Sequence, residues 1–153
     1  MRVVTAVALG MALGFPHQAS GQTSVTGRWS TEFDIGIRNE NGVETSMGKR
    51  QATMTLELRG DSVFGTWQVA PQGGATPPPV HLKGVRTGTK VQLSAEPVEH
   101  TVNMGDGDRT VKMVAVYRLE LHDGELVGTS QNTSADGSFD GPERPFSARR
   151  IKP

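Results

Sequence analysis

A chain of 153 residues, with 16 Lys and Arg against 16 Asp and Glu and no cysteine, has room for one domain of ordinary size and none for a disulfide. The even charge balance excludes the basic footprint by which proteins hold nucleic acid or an anionic membrane surface. Stability therefore has to come from a packed core and from backbone ladders.

Residues 1–21 read as a cleaved signal peptide. Arg2 precedes an apolar run from Val3 to Phe15, Pro16 breaks it, and Ala19-Ser20-Gly21 supplies the small residues that cleavage requires. The run is short of the roughly 20 apolar residues that a membrane-crossing helix needs. Taking 21 residues from 153 leaves 132, read as one domain over 22–153, with 15 basic and 16 acidic residues and a net charge of −1. No cysteine follows the cleavage point to take a lipid anchor, so the expected destination is the periplasm or the medium, without stable membrane insertion.

From Val25 to Phe33, Val25, Gly27, Trp29, Thr31 and Phe33 alternate with polar or charged neighbours, the period of a half-buried strand. Residues 38–50, rich in Asn and Gly, form a turn-rich connection with room for a short strand of its own. Strands follow over Gln51–Arg59 and Ser62–Ala70. Pro77-Pro78-Pro79 and Gly73-Gly74 then make 71–79 a loop, since proline cannot donate to a ladder. Further strands are read over Val80–Arg86, Lys90–Ala95, Thr110–Leu121, Glu125–Asn132 and Arg144–Ile151, with residues 97–108 as a second long loop.

One segment occurs twice. Leu56-Glu57-Leu58-Arg59-Gly60-Asp61-Ser62-Val63-Phe64-Gly65-Thr66 returns as Leu119-Glu120-Leu121-His122-Asp123-Gly124-Glu125-Leu126-Val127-Gly128-Thr129. Each copy is strand, tight turn, strand, with one apolar face. Eight short strands in sequence and no 3.6-residue period predict an all-β fold, an eight-stranded antiparallel up-and-down meander. Closure into a barrel removes the two bare edges that an open meander would leave. Thr53, Thr55, Glu57, Lys90, Gln92 and Ser94 point outward, so the outer wall is wet and not that of a membrane barrel.

The start Gly27-Arg28-Trp29 and the finish Phe146-Ser147-Ala148-Arg149-Arg150 resemble the ends of calycin barrels, the group that holds lipocalins, avidins and fatty-acid-binding proteins. The pattern also resembles small exported bacterial domains with Leu-x-Leu-x-x-Gly-Asp-x-Val-x-Gly-Thr and a terminal Phe-x-Ala-Arg-Arg. The chain lacks the Thr-Asp-Tyr motif and the disulfide of lipocalins proper. The resemblance implies a first-strand Gly-x-Trp beside a last-strand arginine. Parity with Phe146 and Ala148 puts Arg150 first and Arg149 second for that role, so Gly27, Trp29 and Arg150 form the expected barrel-closing set, with a guanidinium over an indole face.

Trp29 and Trp67 fall on inward positions, where two roles are open to them: filling the core, or lining a pocket for an apolar ligand. The pocket reading takes Trp29, Met54, Leu56, Trp67, Leu82, Met113 and Tyr117 as its lining. Inward Gly27, Gly65, Gly84 and Gly128 read as devices of strand bending. His81, His100 and His122 have no metal-ligand spacing, and the loop carboxylates form no calcium-loop pattern, so neither metal nor cofactor is expected. With no Gly-x-Ser-x-Gly elbow, no enzyme is expected either. The function read from the sequence is non-enzymatic binding of a small apolar or amphipathic molecule at the open end. The alternative is a solid-core structural or protein-interaction module of the cell envelope, with an envelope protein as its partner.

Overall fold

A computed structural model describes residues 24–103 and 107–152. The expected leader, 1–21, lies outside the described residues. Eleven strands follow one another: β1 Gly27–Asp34, β2 Ile37–Glu40, β3 Val43–Ser46, β4 Lys49–Arg59, β5 Ser62–Val69, β6 Val80–Thr87, β7 Lys90–Ala95, β8 Val98–Asn103, β9 Asp108–His122, β10 Glu125–Ser134 and β11 Arg144–Arg150. Eight of them form the wall, in the order β10-β11-β1-β4-β5-β6-β7-β9, and β9 pairs with β10 to close it. All pairings are antiparallel. The fold is an all-β meander barrel.

Four hairpins turn on two residues each. Asn41-Gly42 and Asp123-Gly124 both have positive φ at both positions (54° and 81°, 44° and 79°), the signature of a type I′ turn. Gly60 and Gly88 carry positive φ alone, at 62° and 63°, in the turns that join β4 to β5 and β6 to β7. These glycines and short polar residues therefore set the twist of the hairpins, and with it the register of the wall.

The repeated segments are the hairpins β4–β5 and β9–β10, four strands apart around the wall and so on opposite sides of it. Within each, the inward glycine faces a leucine: Gly65 pairs with Leu56, and Gly128 with Leu119. Gly84 pairs in the same way with Leu93. At these three positions a Cβ would run into the carbonyl oxygen of Thr55, Arg118 or Gln92 respectively. Only glycine allows so close an approach, and the three leucines, all nearly or fully buried, fill the interior instead.

Two segments differ from the sequence reading. Residues 38–50 hold a hairpin, β2–β3, which continues the β1–β4 ribbon without a change of register: Asp34 pairs with Lys49 and Ile37 with Ser46, while Ile35 N–H donates to Gly48 O and Met47 N–H to Gly36 O. The ribbon bends at Ile35, opposite Gly48, whose φ is 132°. Residues 97–108, expected as loop, contain β8, which pairs with the first half of β9. Between the pairs Ser94–Val116 and Val98–Met113 one side has three residues and the other two, so Ala95-Glu96-Pro97 carries a one-residue bulge. The polar, weakly alternating sequence of β8 hid it. Two ribbons thus project past the same end of the barrel.

Candidate functional site

The ends of the barrel differ. At one, the turns at 60–61, 88–89 and 123–124 surround residues 24–27, which cross the opening. Val25 and Trp29 are wholly buried there, and Trp29 Nε1–H donates to Val25 O at 2.9 Å. Arg150, paired across the ladder with Trp29, holds its guanidinium carbon 4.2 Å from the centre of the indole ring. Its Nη1 donates to Thr26 O at 2.8 Å and its Nη2 to Ser24 O. Arg150 Nε is buried without a hydrogen-bond partner among the described residues, so the indole face is the favourable contact beneath it. A Cβ on Gly27 would come within 2.6 Å of Arg150 Nη1, and Gly27 has a φ of 140°. Glycine is what lets the arginine cross.

The opposite end is the mouth. Its floor is a cluster of four rings centred on Trp67, which meets Phe33 edge-on at 5.4 Å, Tyr117 stacked at 5.8 Å and Phe146 tilted at 6.2 Å. Tyr117 and Phe146 also meet edge to face at 5.1 Å. Phe33 and Trp67 are half-buried, whereas Tyr117 and Phe146 lie in the core. Burial pushes the Tyr117 hydroxyl up to about 12, so it stays protonated at neutral pH. Met113, half-buried on β9, stands on the same inward face nearer the rim.

Of the residues read as pocket lining, Trp29, Met54, Leu56 and Leu82 are packed in the core beneath this floor, with at most 3% exposure. Trp67 and Tyr117 are in ring contact, and Met113 stands toward the rim, so the mouth gathers part of the set and the core the rest.

The rim adds residues that the sequence reading did not single out. Arg144, the first residue of β11, stands two before inward-facing Phe146, and Arg50 two before inward-facing Ala52. Arg50 Nη2 donates to Ala70 O at 2.6 Å. Arg144 forms a two-pronged pair with Glu44 of β3, at 2.9 and 3.2 Å. The guanidinium holds the Glu44 carboxyl below the usual carboxylate range, and the carboxylate raises Arg144 in turn. The β1–β4 ribbon is thereby tied near its tip to β11, the strand beside β1 in the wall. Ile35, half exposed, and Val98, 37% exposed, are apolar residues at the bases of the two ribbons. An arginine on inward parity at the mouth end of a strand was the available signal.

Two grooves run along the outer wall. One, of about 570 Å³, lies over β5, β6 and β7 and is lined by Phe64, His81, Lys83, Ser94, Pro97 and Val114 among others. The second, of about 480 Å³, includes Val85, Gln92, Arg118 and Val127. Among the described residues no group of three His, Asp or Glu side chains is placed to hold a metal ion. No known protein family, no characterised protein and no solved structure matches this chain.

Proposed function

We propose that the protein is an exported, non-enzymatic binding barrel whose mouth takes a flat apolar or amphipathic molecule. One observation carries the reading: a half-buried tryptophan, Trp67, is the hub of a four-ring cluster at the end from which both ribbons project, with Phe33 half-buried beside it and Tyr117 and Phe146 buried beneath. Large rings that are neither fully packed away nor freely solvated offer an apolar ligand contact area at little ordering cost. The plugged end supplies rigidity, and the ligand rests on the floor without entering the core. Export to the periplasm or the medium follows from the leader reading.

Titration of the purified protein with the neutral fluorophore N-phenyl-1-naphthylamine tests this. Saturable one-to-one binding is expected, weakened at least ~10-fold in Trp67→Ala by loss of the ring contact. Absence of saturable binding would end the mouth reading. It would leave in its place the second reading, a protein-interaction module, which the outer wall supports: Phe64, Val85 and Val127 are each more than 40% exposed beside the two grooves.

A further inference from the structure

The mouth carries a charge arrangement that narrows the class of ligand. We propose that Arg144 is an anion seat, occupied in the unliganded protein by Glu44, and that the cognate ligand is an organic anion with a flat apolar body. The inference rests on the mouth reading above.

Glu44 sits on β3, near the tip of a ribbon bent at Ile35 opposite Gly48, a hundred residues from its partner in sequence. Its carboxylate meets Arg144 through two nitrogens, the geometry in which a guanidinium recognises any carboxylate or sulfonate. Both side chains remain well exposed, at 38% for Arg144 and 48% for Glu44. An ion pair so exposed is weak enough to exchange for a competing anion. Arg144 also stands one pleat from Phe146, about 7 Å along the strand at the rise of an extended chain. Phe146 in turn touches Trp67. An anion on Arg144 therefore places an attached ring system over the Phe33–Trp67 floor. Binding would free Glu44 and release the ribbon tip, which has Gly36 and Gly48 at its base to move on.

The test uses two probes with the same ring system: 1-anilinonaphthalene-8-sulfonate, which carries the anion, and neutral N-phenyl-1-naphthylamine. In the full chain, Arg144→Gln is expected to weaken the sulfonate about tenfold, as loss of a charge-assisted pair does, with the neutral probe changed less than about twofold. Glu44→Gln, which vacates the seat, is expected to tighten the sulfonate about two- to fivefold and leave the neutral probe alone. Arg144→Lys, which keeps the charge but loses the fork, should fall between wild type and Arg144→Gln.

Equal weakening of both probes by Arg144→Gln would overturn the anion seat, since it would mean that the residue only supports the mouth. Weaker sulfonate binding in Glu44→Gln would overturn it as well, because Glu44 would then be a ligand contact and not a competitor. In either case the neutral probe still binds and the mouth reading stands. If the neutral probe does not bind wild-type protein, the mouth reading fails and the seat with it.

Discussion

Arg150 joins the two chain ends of the barrel through one side chain. Its guanidinium covers the Trp29 ring and collects the carbonyls of Ser24 and Thr26, so the first described residues, the first strand and the last strand share one cation. Arg150→Gln is expected to lower stability by about 1–3 kcal/mol, from the lost cation–π contact and charge-assisted hydrogen bonds. Trp29→Ala should cost about 3–5 kcal/mol as a large-to-small change in a closed core. Urea unfolding of the two single variants and the double variant measures both; a loss under about 1 kcal/mol in Trp29→Ala would contradict its burial in the core. Alternation along the last strand is enough to select Arg150 over Arg149, because strand parity is strictly two. Arg149 points outward, 84% exposed beside Glu125. Glu44 and Arg144 could not be coupled in this way, since their meeting depends on how far a ribbon bends.

At the scale of elements, the inward glycines shape the wall. Gly65, Gly84 and Gly128 each lie where a neighbouring carbonyl takes the space of a Cβ. Alanine at any of the three would have to push backbone away, at a cost of about 1–3 kcal/mol or more. Alanine at Gly65 or Gly128 should shift the urea midpoint strongly while far-ultraviolet dichroism stays that of a β protein. A negligible shift would show that the ladders are looser there than the pairing implies. The hairpins were legible because each announces itself twice, through alternation and through a turn dipeptide. The projecting ribbons were not: β8 is a mostly polar strand behind a bulge, and β3 is exposed along its whole length, so burial imposes no period on it.

For the whole molecule, closure rests on an uneven seam. The β9–β10 ladder runs over ten residue pairs, whereas β1 and β11 share only Trp29–Arg150 and Ser30–Arg149. Two bonds flank that short ladder: the buried Thr31 hydroxyl donates to Ser147 O at 2.7 Å, and Ile151 N–H to Arg28 O at 2.8 Å. Local opening follows the least-supported ladder. Native-state hydrogen exchange is therefore expected to show amides of the β1–β11 seam exchanging faster than those of β9–β10. Thr31→Val should widen that gap by removing a bond between the strands. Equal protection at both would mean that the barrel opens only as a unit.

Alternation, turn chemistry and the doubled Leu-x-Leu hairpin were sufficient to determine an antiparallel meander and which residues face inward, because these are short-range properties of an extended chain. The bend of the β1–β4 ribbon, the bulge at Ala95-Glu96-Pro97 and the gathering of Phe33, Trp67, Tyr117 and Phe146 at one end were decided by the tertiary structure alone. Each depends on the curvature accumulated around eight strands, which places residues a hundred positions apart side by side and which no local period encodes.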